Sequence, residues 1–348
     1  MRIRIGQYEL GDDCPVFVVA ELSGNHGGSV DRALEIVRAA KRAGANAIKL
    51  QTYTADTITL RSEKADFLLD GRSPWAAYRT LWDLYDVAKT PLEWHQRIFE
   101  EAEKLGMAAF SSPFDISAVD FLEELNVPAY KIASPEIVDI PLLEKVAKTG
   151  KPIIISKGVA DFDDLDLAVK TLRNGGASEL IILQCNSSYP SPLGDSNLQT
   201  IQDIPKKFKC LSGLSDHTEG YLAATLSVAF GAAMVEKHFA LDDVDTVDSF
   251  FSLSEKSFTS MVENIRNAEI SIGNVFYGIT ETAKQSLAGR RSLYVVQQVK
   301  AHECFTSTNV RSIRPGFGLH PKHFKEVIGR FATRDIEPGE RLSWELIE

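Results

Sequence analysis

From residue 15 to about residue 270, short apolar runs alternate with segments that are apolar along one side only. The runs are PVFVVAE (15–21), ANAIKLQ (45–51), MAAFSS (107–112), AYKIAS (129–134), PIIIS (152–156), LIILQC (180–185), KCLSGLS (209–215) and AMVEKHF (233–239). Most are apolar without interruption, as strands buried on both faces must be. The segments between them carry helical spacing. Ala33, Ile36, Val37 and Ala40 fall on one side of the first, and Gly44 stands where a helix would stop. Repeated strand–helix units imply a parallel sheet. Eight of them over about 250 residues match a closed (β/α)8 barrel of the TIM type. A doubly wound open sheet is the alternative, and no GxGxxG follows the first strand to support it.

Two stretches depart from the repeat. Residues 52–106 form a long excursion carrying Trp75, Tyr78, Trp82, Tyr85, Trp94 and His95. It either overhangs the C-terminal mouth of the barrel or forms a helical hairpin with its own aromatic core. After residue 280 the runs shorten and turn residues separate them, as in RRSLYVVQQV and ERLSWELIE. These features divide the α/β chain into a barrel over 1–280, a linker over 281–290 and a small β-rich domain over 291–348.

Polar residues recur at the C-terminal ends of the eight runs: Glu21, Lys49 and Gln51, Ser111 and Ser112, Lys131 and Ser134, Ser156, Ser187, Ser215 and His217, Glu236 and His238. Packing alone would scatter them over both ends. Their confinement to one end fits catalysis at the barrel mouth. His217 and His238 end neighbouring strands, so their imidazoles share one stretch of rim. Two such histidines with carboxylates nearby point to a divalent first-row ion rather than calcium. Glu21, Asp216, Glu236 and His26 are near enough in register to be further ligands or supporting partners. Lys49, Lys131, Ser134, Ser156 and Ser215 form a second group suited to phosphate or carboxylate. The plainer alternative pairs each lysine with a glutamate of the barrel. A lysine inside an apolar strand is costly without an anion of some kind.

Composition narrows the picture only slightly. The 348 residues are 44% apolar and 25% charged, with a net charge of −10. Acidity of that size argues against nucleic acid or an anionic membrane as partner. Cys14, Cys185, Cys210 and Cys304 show no CxxC spacing, which suits a reducing compartment. No apolar segment approaches membrane-spanning length, and residues 1–15 lack the apolar core of a signal peptide. A cytoplasmic protein is expected.

The ordered motifs ELSGNHGG (21–28), KLQT (49–52), SPFD (112–115), YKIAS (130–134), GLSDHT (213–218) and EKHF (236–239) resemble the sialic acid synthase family. The tail motif SIRPGFG (312–318) resembles the antifreeze-like (SAF) domain that ends those enzymes. The resemblance covers essentially the whole chain. It implies a transferase that condenses phosphoenolpyruvate with an N-acetylated amino sugar to a nine-carbon nonulosonic acid. IKLQTYTADTITL, TPLEWHQRIFEEA and RSIRPGFGLHPK are most similar to the pseudaminic acid branch. The implied sugar is therefore 2,4-diacetamido-2,4,6-trideoxy-altrose, with an N-acetylmannosamine-type sugar (N-acetylneuraminate or legionaminate synthesis) as alternative.

By that resemblance, His217 and His238 hold a divalent metal, manganese first, with magnesium, cobalt or zinc as alternatives. Lys49, Lys131, Ser134, Ser156, Ser187 and Ser215 surround phosphoenolpyruvate. Glu21, Tyr189 and Asp248 lie toward the sugar, and Glu136 lies near the reacting carbons. Arg314 reaches the sugar's acyl group from the other subunit of a domain-swapped homodimer. Three stretches depart from the family pattern: Ser156-Lys157-Gly158 in place of Ser-Thr-Gly, Ser134-Pro135-Glu136, and Thr246-Val247-Asp248 with Ser249-Phe250 following. Two other classes remain open on the residues: a Schiff-base aldolase using Lys131, and a non-catalytic sugar-binding protein.

Overall fold

The computed structural model describes residues 1–348, which form two compact units, Met1–Gly273 and Asn274–Glu348. In the first unit an antiparallel hairpin, β1 (Arg2–Ile5) and β2 (Tyr8–Gly11), precedes eight parallel strands. These are β3 (Phe17–Glu21), β4 (Ala47–Thr52), β5 (Ala108–Pro113), β6 (Tyr130–Ile132), β7 (Ile153–Ser156), β8 (Leu180–Cys185), β9 (Leu211–Asp216) and β10 (Met234–His238). They pair in chain order, and β10 closes on β3. All eight expected strands are present, and the sheet is closed rather than open.

Alternation along each strand divides the interior into levels. Phe17, Val19, Ala47, Ala108, Phe110, Ile154, Ile181, Leu183, Leu211 and Met234 fill the lower barrel as one apolar cluster. Ile3, Ile5 and Leu10 of the hairpin belong to the same cluster. The hairpin therefore plugs the N-terminal end, a role that four-residue strands of mixed polarity did not announce. At Gly213 a methyl group would collide with the Met234 carbonyl, so only glycine lets β9 and β10 approach there. One step further along the same faces come Glu21, Lys49, Lys131, Ser156, Ser215, Glu236 and His238. The outward residues pack under the helices in two larger clusters, Val18, Ile48 and Val235 in one and Ile132, Ile153 and Ile182 in the other.

The second unit pairs β11 (Ser292–Val295) with β12 (Val310–Ile313) antiparallel. Leu293, Val295, Val299, Phe305, Val310, Val327, Ala332, Ile336 and Leu342 give it a core of its own.

Candidate active site

Each residue at the barrel mouth sits where period-two alternation turns it inward. Glu21, Lys49, Lys131 and Glu236 meet there, all almost completely buried. Lys49 Nζ pairs closely with Glu21 Oε2, lies 3.7 Å from Glu236 Oε1, and is 3.4 Å from Ser112 Oγ. Lys131 Nζ lies 3.5 Å from the same Glu236 oxygen. The plainer expectation for the lysines, a glutamate for each, thus describes this arrangement. Glu21 also accepts bonds from the Ser23 N–H (3.0 Å) and from Gln51 Nε2 (3.2 Å).

Burial and charge act in opposite directions on these groups. Burial and the neighbouring Glu236 hold the Glu21 carboxyl above its ordinary range. Burial would raise Glu236 too, but Lys131 and Lys49 together keep it low. Burial lowers Lys131, whereas the two glutamates more than offset burial at Lys49.

Ser111 and Ser112, adjacent in sequence, separate. Ser112 faces Lys49 across the interior. Ser111 faces outward and joins Thr52 Oγ1 (2.6 Å), which bonds His95 Nε2 at 2.9 Å. On the far rim Ser215 Oγ donates to Glu236 Oε1 at 3.2 Å. Ser134 Oγ accepts the Val159 N–H at 2.6 Å, and a methyl at Gly158 would collide with the hydroxyls of both Ser134 and Ser187. The turn after β7 is therefore pressed onto those two serines. Lys157 on that turn forms no ion pair.

His217 and His238 face each other with ring centroids 5.3 Å apart. His217 Nδ1 lies 2.8 Å from the Asn186 carbonyl, so that nitrogen carries a proton. Burial lowers the His217 pKa, but Cys185 and the Asn186 carbonyl beside it more than offset this and hold it above its ordinary value. His238 is held neutral by burial, and its Nδ1 is buried without a partner. Two facing imidazoles, one with its Nδ1–H backed by a carbonyl, fit a divalent ion, whose charge would displace any proton on Nε2 of His217. No third His, Cys, Asp or Glu completes a cluster. Two residues expected nearby stand elsewhere. Asp216 alternates to the outer face of β9 and meets Lys237. His26 packs edge-on against Trp94 and accepts the Gly28 N–H.

Aromatic rings cover the histidines. Tyr189 lies over His217 (4.5 Å between centroids) and Phe251 over His238 (4.6 Å). Trp75, from the long excursion, contacts Tyr189 and Phe250, and its indole N–H donates to the Val247 carbonyl at 2.9 Å. Trp75 overhangs the mouth, as the first reading of the excursion expects. His95 packs against Phe99 and against Phe121 of the helix after β5, so these aromatics join the barrel layer rather than a separate core. Asp248 is buried beside Ser23 Oγ, and burial raises its pKa. Burial likewise lifts the Tyr189 phenol. Glu136, on the turn after β6, is pushed up by burial to about 7, and its Oε2 has no partner. With Ser156 Oγ and Glu236 Oε2, also unpartnered, this end of the barrel gathers polar atoms that call for a ligand. Arg314 lies in the second unit, exposed just beyond β12 and free of any ion pair.

A closed parallel barrel with a buried lysine–glutamate quartet and a histidine pair at its C-terminal mouth is built as an enzyme active site. Residues 36–277 match the NeuB family model and residues 290–348 the SAF domain model. The chain belongs to the NeuB family, enzymes that condense phosphoenolpyruvate with a sugar. It is 43% identical to a pseudaminic acid synthase of Campylobacter jejuni over 98% of each chain. It is 41% identical to that of Helicobacter pylori, over 96% of this chain and 98% of the other. Among solved structures, an N-acetylneuraminic acid synthetase of Leptospira borgpetersenii in complex with citrate superposes with a TM-score of 0.72 at 29% identity, covering 82% of this chain and 95% of that one.

Proposed function

We propose that this chain is a pseudaminic acid synthase. It joins C3 of phosphoenolpyruvate to the aldehyde carbon of 2,4-diacetamido-2,4,6-trideoxy-altrose. Carbon–carbon bond formation leaves positive charge at C2 of the phosphoenolpyruvate unit. Water adds there, and the tetrahedral intermediate breaks its C–O bond to release phosphate. The observation that carries this reading is the buried quartet of Lys49, Lys131, Glu21 and Glu236 beside the histidine pair, in a chain similar to pseudaminic acid synthases from end to end.

The arriving phosphate and carboxylate compete with Glu21 and Glu236 for Lys49 and Lys131, which then hold that charge through the reaction. Ser134, Ser156, Ser187 and Ser215 supply hydroxyl donors around it. Tyr189 and Asp248 face the sugar. Glu136, with a pKa near neutrality, positions and deprotonates the attacking water, a task Glu21 could share. His217 and His238 would hold a divalent ion, manganese first, which supplies Lewis-acid polarisation of the aldehyde oxygen.

The working unit on this reading is a domain-swapped homodimer in which Arg314 meets the sugar's acyl group from the other subunit. A run of exposed apolar residues, Ile272, Val275, Phe276, Tyr277 and Ile279, supports association with a second copy. No helix is long and apolar enough to cross a membrane; the proposed place of work is the cytoplasm.

Phosphate release from phosphoenolpyruvate, measured against a panel of N-acylated hexoses with and without manganese, tests the reading. Turnover with the 2,4-diacetamido-2,4,6-trideoxy sugar and little with N-acetylmannosamine is expected. Equal or better turnover with N-acetylmannosamine would reassign the sugar. A borohydride-trapped adduct on Lys131 would reassign the chemistry.

A further inference from the structure

The barrel carries a buried ion pair that the reaction does not use. Along β10, Glu236 and His238 point into the mouth, while Val235 packs in the layer between sheet and helices. Lys237 shares the face of Val235 and is completely buried. On β9, Asp216 turns outward in the same way, opposite to Ser215. Lys237 Nζ donates to Asp216 Oδ2 at 2.8 Å and to the Thr218 carbonyl. Asp216 Oδ1 in turn accepts the Thr218 N–H at 2.9 Å. His217 is the residue between Asp216 and Thr218, and His238 is the residue after Lys237. One ammonium group therefore grips, from behind, the turn that carries one histidine and belongs to the strand that carries the other. The His217 carbonyl is fixed as well, by the Ser191 N–H at 2.8 Å.

From this geometry we infer that Lys237, with Asp216, is a positioning residue for the divalent-metal pair: it sets the separation and relative tilt of the two imidazoles. The inference rests on the metal reading given under Proposed function. Two protein ligands with no third carboxylate or thiolate hold an ion tightly only if they are preset to within a fraction of an ångström. A buried ion pair is a poor device for stability, because a well-packed apolar pair of similar volume is often as stable or more so. It is an effective device for fixing geometry, since the ammonium has two acceptors at set positions, one at the end of the neighbouring strand and one on the turn that follows it.

The test is manganese affinity, measured by calorimetry on the full chain, together with the shift in melting temperature on adding manganese. Lys237→Met is expected to weaken manganese binding roughly 10–100-fold, the usual effect of removing a partner behind a metal ligand. Removing one charge strands the other in an apolar layer, so a second variant, Lys237→Met with Asp216→Asn, removes both and keeps an acceptor for the Thr218 N–H. It is expected to melt near the wild-type temperature without metal and still to bind manganese weakly. Wild-type affinity in that double variant would overturn the inference and make the pair a plain structural staple. No manganese binding by the wild-type chain would overturn the metal reading itself, and this inference with it.

Discussion

Glu136 has a carboxyl that its turn after β6 holds away from solvent. Its carboxyl is pushed from 4.5 to about 7 by burial, so its charged form is disfavoured in the folded protein. The sign follows from linkage. The neutral acid costs nothing below the unfolded value. The charged form becomes a penalty as pH rises toward the folded value, and above about 7 the penalty is complete. We predict that Glu136→Gln leaves melting unchanged near pH 4.5 and stabilises the protein at pH 8, by at most about 3 kcal/mol. Activity should move the other way. If Glu136 handles the water, kcat falls on the order of 100-fold or more, and the acidic limb of kcat/KM near pH 7 disappears. An unchanged limb in the variant would assign the water to Glu21. At this scale the sequence revealed the inventory but not the pairing. Lys49 and Lys131 were visible as costly cations in apolar strands. That Glu21 and Glu236 would be their counter-ions depends on barrel register, which spacing along one strand does not encode. Lys237 went unread for a related reason. Only the alternation of Val235, Glu236, Lys237 and His238 distinguishes a cation behind the site from one inside it.

The turn after β7 has little room to move. Gly158 lies against the Ser134 and Ser187 hydroxyls, and Val159 donates to Ser134. We predict that Gly158→Ala displaces this turn at a stability cost of about 1–3 kcal/mol, the usual range for overpacking. The KM for phosphoenolpyruvate should rise about tenfold or more, equivalent to about 1.4 kcal/mol of binding, with a smaller change in the KM for the sugar. A larger change for the sugar would move this turn to the other half of the site. Elements were the most legible level of the chain. Eight apolar runs became eight strands in the expected order, because a strand covered on both faces has no polar alternative. Where burial is mixed, legibility failed. The β1–β2 hairpin is half exposed, so its apolar positions Ile3, Ile5 and Leu10 carry no run long enough to notice. The excursion over 52–106 resolved into two roles because its aromatics serve two layers, Trp75 toward the mouth and His95 toward the sheet.

The whole molecule raises the question of whether one chain suffices for one active site. The barrel and the second unit have separate cores, so each contributes to function only through what it presents to the other or to a partner. Arg314 is exposed and unpaired, and on the proposed function either chain of a dimer could supply it to the sugar. Two defective variants distinguish these possibilities. His238→Ala disables the barrel and leaves the second unit intact; Arg314→Ala does the reverse. Assayed at sugar well below the variant's KM, each alone should lose most activity, the first through the metal pair and the second mainly through a raised KM for the sugar. Their mixture is informative because a twofold assembly gives every site the same parentage. If Arg314 serves its own barrel, no chain in the mixture holds both intact groups, and activity stays at the sum of the two parents. If Arg314 serves the partner's barrel, each mixed dimer has one site with an intact histidine pair and an intact arginine. Random assortment makes about half the dimers mixed, and one site in two works in each, so about a quarter of wild-type activity should return on co-expression. Recovery to about that level would establish the shared site. No recovery in dimers shown to be mixed by mass would confine each active site to a single chain.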